Sequence, residues 1–199
     1  MEIMMWQRGN IICGSRRLSA WVALGVAVFL LGQDATLACE RIDTAERLLS
    51  GGKYTEAAEI FEACLGNNLE DAKTVSATQR TSAALGLARC LAAEGKTSQA
   101  RQVLKDSLAK IKDADGEKAR LHAELALLAL QQGDHATVDA HVEAAIGLDS
   151  DQLLARLLRA ERFRLSGQID QAHRAYAWLV KYHNNEQNDT FGEPESLRW

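Results

Sequence analysis

The sequence has very little of what interrupts helices or builds sheets. It contains a single proline, Pro194, and only 6% aromatic residues. From residue 40 to residue 183 it consists largely of Ala, Leu, Glu, Gln, Lys and Arg, the residues that lose least on entering a helix. No run of six or more positions alternates apolar and polar residues with the β-branched enrichment that a half-buried strand requires. These absences argue against a sheet and predict an all-α fold.

Motifs that carry catalysis or cofactor binding are also missing. The chain has no glycine-rich phosphate loop, no Gly-x-Ser-x-Gly elbow and no Cys-x-x-Cys pair. The histidines lack the His-Glu-x-x-His spacing that binds zinc, and we interpret all five as surface or groove residues. They are His122, His135, His141, His173 and His183. We therefore expect no enzyme activity, no cofactor and no metal site.

The chain has no basic stripe that could bind nucleic acid. Its net charge is −4. The first 38 residues contribute +1, because three arginines oppose Glu2 and Asp34, so the remainder carries −5. Binding to phosphates needs clustered cations. We therefore expect no nucleic-acid partner.

The first 38 residues have the layout of a signal peptide. Three arginines precede an apolar stretch of 14 residues, 18–31, and small residues follow at 35–38. This stretch is shorter than the roughly 20 residues that a membrane-spanning helix needs. We predict a signal peptide over residues 1–38, cleaved near Ala38, and an exported mature protein that is periplasmic or secreted.

Four glycines divide the helical region: Gly52, Gly95, Gly133 and Gly167. The residues five, nine and twelve positions after each glycine are alike from copy to copy. The set at position five is Ala57, Ala100, Val138 and Ala172. A small residue also stands seven positions before each glycine, namely Ala45, Ala88, Ala126 and Ala160.

These offsets predict helical hairpins. Positions separated by four and three residues lie on one face of a helix, so they form a ridge that can pack against a partner helix. A glycine can end the preceding helix in the left-handed conformation at little cost, because it has no Cβ. We therefore predict antiparallel helix pairs, joined at the glycines and brought close by the alanines.

The pattern resembles the tetratricopeptide repeat. The first copy matches best, with Gly52 at the turn, Tyr54 two residues later, and then Ala57 and Phe61. The resemblance covers residues 39–182 and implies a right-handed superhelix, a solenoid of about four antiparallel hairpins with a concave surface. It also implies a non-catalytic scaffold whose partner is a protein or peptide of unknown identity.

Aligned from the glycines, the resemblance places eight residues toward the concave groove: Leu85, Arg89, Arg120, Leu127, Leu130, Leu157, Glu161 and Leu165. The leucines either add an apolar component to binding or pack against the next hairpin or a capping helix. Relatives that grip a partner's C-terminal carboxylate use Lys and Asn at fixed positions. This chain has Ile42, Glu46, Gly86 and Glu124 at the matching places, which argues against a carboxylate clamp.

Three cysteines follow the signal peptide: Cys39, Cys64 and Cys90. Cys39 and Cys64 are centred on the turn beside Gly52, so an antiparallel hairpin lets them face each other, and we predict a disulfide between them in an oxidising compartment. Cys90 lies within an apolar helix and is predicted to be a buried thiol. Alternatively, Cys39 is lipidated as in a bacterial lipoprotein, which would forbid the bridge and attach the chain to a membrane.

Residues 183–199 are predicted to form a polar tail with a short C-terminal helix. Pro194 suits the first turn of that helix, which stops within two turns and is marginal alone. It either caps the last hairpin, with Trp199 on the exposed ridge, or belongs to a longer chain. Two other functions therefore stay open, the N-terminal repeat region of a larger or truncated exported enzyme and a lipid-anchored envelope assembly factor.

Overall fold

A computed structural model describes residues 40–66 and 76–190, with side chains up to residue 184. The helices in these ranges are α1 (residues 40–50), α2 (Tyr54–Gly66), α3 (Ala77–Ala93), α4 (Thr97–Lys110), α5 (Asp115–Gln131), α6 (His135–Leu148), α7 (Leu153–Leu165) and α8 (Ile169–Thr190). These two ranges contain no strand. The predicted all-α fold is confirmed.

All four repeat glycines lie at turns between helices and are left-handed, with φ between 73° and 78°. At each turn the glycine N–H donates to the carbonyl three residues earlier, and the next N–H donates to the carbonyl five residues earlier. In the first turn the second of these bonds runs from Lys53 to Leu48, at 2.9 Å. The two bonds satisfy carbonyls that the helix end leaves without partners. The predicted glycine turns are confirmed.

The helices form a stack of hairpins. We call the helix before each repeat glycine an A helix (α1, α3, α5 and α7) and the helix after it a B helix (α2, α4, α6 and α8). From α2 onward each helix contacts the next one, and α5 also contacts both α3 and α7. Each hairpin therefore packs on its neighbours along the chain, as in a helical solenoid.

The core is built from the repeat positions that the sequence pattern singles out. The alanines seven positions before the glycines have no exposed surface, and the residues five positions after them are buried as well. Nine positions after the glycines the first three hairpins bury a large side chain: Phe61, Leu104 and Val142. In the first three hairpins the buried alanine of the A helix and these two B-helix residues therefore belong to one core cluster.

At two repeat positions the last hairpin makes ion pairs where the third hairpin makes apolar contacts. Arg159 pairs with Glu143 at 2.9 Å and Arg162 pairs with Asp139 at 3.0 Å, and both pairs join α7 to α6. The equivalent residues of α5 are Leu125 and Leu128, which belong to the buried core shared with α3 and α4. The interface before the last hairpin is therefore the more polar of the two.

The predicted boundary after residue 182 lies within a helix, and some predictions fall outside the described residues. α8 continues to Thr190, eight residues past the predicted start of the tail after residue 182. Residues 183–190 contain neither proline nor glycine, so nothing local ends the helix. The predicted signal peptide over 1–38, Cys39 and the predicted short helix after residue 191 lie outside the described residues. No helix in the described ranges is long and apolar enough to span a membrane.

Phe61 and Gly86 fix the distance between the first two hairpins. Phe61 of α2 is fully buried, and its ring lies so close to Gly86 of α3 that a Cβ at residue 86 would overlap the ring. Glycine inside a helix normally costs about 1 kcal/mol relative to alanine. Here it allows the aromatic ring to pack directly against the helix backbone.

We expect Gly86→Ala to destabilise the protein despite the better helix propensity of alanine. Overpacking a core of this kind costs about 1 to 3 kcal/mol, and chemical denaturation followed by circular dichroism measures the change. Combining Gly86→Ala with Phe61→Leu should make the glycine substitution less costly than it is alone. Additive effects of the two substitutions would contradict this account.

Candidate partner-binding surface

The A helices carry a column of surface residues at a shared repeat position. Six residues before each glycine stand Glu46, Arg89, Leu127 and Glu161. Glu46 and Arg89 are exposed, whereas Leu127 and Glu161 are half-buried. On α7, Leu165 follows Glu161 by one turn and shares its face of the helix. We refer to these five residues as the A-helix column.

Arg89 is held by a buried carboxylate of the next A helix. Its Nε and Nη2 donate to the two oxygens of Glu124, each at 2.9 Å. The Glu124 side chain is 3% exposed, whereas that of Arg89 is 52% exposed. These hydrogen bonds raise the pKa of the Arg89 guanidinium, and the nearby Glu46 carboxylate adds to the shift. The pair joins α3 to α5 and neutralises the cation at the surface.

A second network surrounds Glu161. The Tyr176 hydroxyl donates to Glu161 Oε1 at 2.5 Å, and Arg164 Nε donates to Oε2 at 2.8 Å. Tyr176, followed by Arg164, lowers the pKa of Glu161. Like Arg89, the Arg164 guanidinium is already paired within the chain. The exposed apolar group beside this network is Leu165.

The eight residues predicted to face the groove do not share one environment. Leu85 is a buried core residue, so it follows the alternative in which these leucines pack within the stack. Leu127 and Leu130 are half-buried and pack against the core of the third hairpin. Arg120 pairs with Glu117 one turn away on its own helix, at 3.1 Å. Arg89 and Glu161 are in the networks above, and the remaining exposed pair is Leu157 and Leu165.

The reason for this division is geometric. A constant offset from the glycine selects one face of each A helix, but part of that face is covered by the following A helix. Leu85 lies ten residues before its glycine, and the residues at that position in α1 and α5, Ile42 and Ala123, are buried as well. The residues two positions before the glycines, by contrast, are exposed in all four A helices.

The positions matching a carboxylate clamp are unsuited to bind an anion. Ile42 is buried and Gly86 is covered by Phe61. Glu124 is a buried anion, and Glu46 an exposed one. None of the four side chains offers a cation or an amide donor.

Two histidines meet in the third hairpin, which the sequence interpretation missed. Nδ1 of His122 on α5 lies 2.9 Å from Nδ1 of His141 on α6, and both rings are half-buried. One ring must be the donor and the other the acceptor in such a contact. The sum of their numbers is close to twice that of Gly133, so the pairing rule for antiparallel hairpins could have predicted the contact.

Burial keeps this histidine pair neutral. Desolvation lowers the pKa of both His122 and His141. For His141 the neighbouring His122 and two cations of α4, Lys105 and Arg101, lower the pKa further. In the described ranges no group of three or more His, Cys, Asp or Glu side chains is arranged to hold a metal ion.

The cysteines are partly accounted for. Cys90 is a buried thiol, as predicted, and burial raises its pKa. Cys64 on α2 is half-buried, and burial raises the pKa of its thiol as well. Because Cys39 lies outside the described residues, its bridge to Cys64 stays a prediction.

Comparison with known proteins supports the repeat interpretation. Residues 48–125 match the family model of the tetratricopeptide repeat. Two crystal structures of nearly identical TPR-like repeats, described as from a kinesin light chain of Podosopora anserina, are similar to this chain. One of them is a single-site variant; each has a TM-score of 0.56 and 19% sequence identity, and the match covers 80% of both chains. A search of curated proteins found no match.

We expect Arg89→Ala to destabilise the protein by about 2 to 4 kcal/mol, because the buried Glu124 carboxylate loses both of its donors. Urea unfolding measures this effect. The double variant Arg89→Leu with Glu124→Leu should recover most of the loss, since no charge then stays buried. Arg120→Ala, which removes an ion pair within one helix, is the control and should cost less than about 1 kcal/mol. Equal costs at Arg89 and Arg120 would refute the assigned role.

The histidine pair should make stability depend on pH. Because the folded state holds both pKa values below the ordinary value near 6.5, the unfolded chain takes up protons first as the pH falls. The pair therefore makes its full contribution to the free energy of unfolding above about pH 7. This contribution decreases as the pH falls below about 6.5. Unfolding free energies measured between pH 7.5 and pH 5 should fall less steeply in His122→Leu with His141→Leu. The exposed His135→Gln variant should keep the wild-type slope.

Proposed function

We propose, on the premise that the chain is a tetratricopeptide-repeat protein, that it is a non-catalytic scaffold binding a protein or peptide partner outside the cytoplasm. Repeats of this type generally bind proteins along the surface formed by their A helices. The observation that carries the proposal is Leu165, a leucine with 50% of its surface exposed in the A-helix column. A partner that covers it removes apolar surface from water.

The charges around Leu165 indicate what kind of contact it makes. Arg164 is paired with Glu161, and Arg89 is paired with Glu124. An anion would have to compete with a carboxylate for either guanidinium. The surface therefore suits an apolar side chain of a peptide or helix, with polar groups of the partner meeting the paired charges at the rim. It does not suit a free carboxylate or a phosphate as the main anchor.

Action outside the cytoplasm is a separate part of the proposal. Its support is the sequence of residues 1–38, in which arginines precede an apolar stretch of 14 residues and small residues follow. An exported scaffold of this kind would meet partners in the periplasm or outside the cell. Lipidation at Cys39 would instead place the same scaffold on a membrane surface.

A capture experiment with the exported protein tests both parts. The full chain is expressed with an affinity tag at its C-terminus and purified from the extracytoplasmic fraction. The intact mass of the purified protein should match a chain that begins at residue 39. The purified protein is then used to capture partners from an envelope extract. Leu165→Lys should reduce capture at least about tenfold, because burying a leucine contributes roughly 1.5 to 3 kcal/mol.

The control places a new lysine on a B helix. Gln102 is exposed on α4 and donates a hydrogen bond to Asp106 one turn later, which a lysine can replace with an ion pair. Gln102→Lys should leave capture unchanged, and circular dichroism should show the same helicity in both variants. If the Leu165→Lys variant captured partners as well as the wild-type protein, the proposed binding surface would be wrong. If the protein were found in the cytoplasm with residues 1–38 intact, the proposed export would be wrong.

A further inference from the structure

The last hairpin leaves an apolar surface uncovered at the end of the stack. Leu153 and Leu157 of α7 are 46% and 42% exposed, and Val180 of α8 is 60% exposed. We call these three residues the end face. They differ from Leu165, because their equivalents in the preceding hairpins are not exposed.

Comparison along the repeats shows what the end face lacks. The residues equivalent to Leu157 are Ile42, Leu85 and Ala123, which are 6%, 4% and 0% exposed. Those equivalent to Leu153 in α3 and α5 are Thr81 and Ala119, both fully buried. Those equivalent to Val180 are Leu65, Leu108 and Ile146, all partly buried against the core.

The position of Leu165 behaves differently along the repeats. Its equivalent in α5, Gln131, is exposed. The end face is thus the surface that a following A helix covers.

The cover required is short. In the third hairpin Ala123 and Ile146 lie in one cluster with Leu154 and Ala155 of the following helix, α7. Both belong to its first turn, and Leu158 one turn later packs against the adjoining cluster. Only four residues, 149–152, separate α7 from the B helix before it. Two helical turns that follow a B helix closely therefore suffice to cover this surface.

At the other end of the described stack, the outer surface of α1 is polar. The positions by which α5 packs on the preceding hairpin hold Leu121, Leu125 and Leu128. In α1 the same positions hold Glu40, Thr44 and Arg47. Thr44 donates to the Glu40 carbonyl at 2.8 Å, and Arg47 donates to the Thr44 hydroxyl at 3.1 Å. A second copy stacked head to tail would press these polar groups onto the end face, which disfavours such an assembly.

We propose that residues 191–199 of the same chain dock on the end face, in the place that the first two turns of a following A helix occupy in the inner hairpins. These nine residues follow α8 directly and include three large apolar side chains, Phe191, Leu197 and Trp199. From Thr190 back to Val180 is about 15 Å along the helix, and nine residues can span up to about 30 Å. Covalent attachment keeps their effective concentration high.

Hydrogen exchange of the full chain tests the proposal. Backbone amides of residues 195–199 should exchange at least about tenfold more slowly in the protein than in a free peptide of residues 191–199. Val180→Asp and Leu153→Asp should each raise the exchange of these amides toward the peptide rate. Both substitutions are at exposed positions, and an aspartate suits the first turn of α7, so the hairpin should keep its helicity.

Leu165→Lys is the matched control, because Leu165 is equally exposed but lies outside the end face. It should leave the protection of residues 195–199 unchanged. The test of the end face is therefore separate from the test of the proposed binding surface. Amides that exchange at the peptide rate in the wild-type protein would overturn the proposal. Protection that rises with protein concentration, together with a doubled mass in light scattering, would overturn it in favour of a second copy.

Discussion

The whole structure depends on each hairpin burying its apolar face on its neighbours, because a single helix pair of this size cannot bury enough surface alone. The glycine turns make this possible. At all four turns a positive φ lets the chain reverse while the carbonyls of the ending helix keep their hydrogen bonds. The reversal always follows seven residues after a buried alanine, so the two helices meet at the same register in every hairpin.

This regularity is why much of the fold could be predicted from sequence. The spacing from each glycine identifies Ala57, Ala100, Val138 and Ala172 as core residues, and all four are buried. Local backbone chemistry and helical periodicity determine both features, and both act within one hairpin. The end of α8 was not predicted. Polar residues such as Asn184 are typical of a tail, but residues 183–190 contain no proline or glycine that would end a helix.

The candidate surface was harder to predict, because it depends on contacts between hairpins. Leu85 and Leu165 are both predicted to face the groove, but Leu85 is buried and Leu165 is half exposed. The ion pair of Arg89 and Glu124 joins residues 35 positions apart, and the offset between repeats differs from hairpin to hairpin. The sequence nevertheless contains an indication of this ion pair. Counted from their glycines, the arginine and the glutamate lie about one turn apart on adjacent A helices.

The two ends of the stack explain why the last hairpin needs a cover more than the first. Among the described residues, the outer positions of α1 carry polar groups that bond to each other, whereas α7 and α8 expose leucine and valine. The last hairpin is also joined to the third by two ion pairs, in which Arg159 and Arg162 bind exposed carboxylates of α6. Ion pairs with exposed carboxylates contribute up to about 1 kcal/mol each. In an array whose stability is a sum of neighbour contacts, the open face leaves this hairpin with contacts on one side, where Leu154, Ala155 and Leu158 pack on the third hairpin. A cover on the end face would restore such a contact to the same hairpin that exposes Leu165.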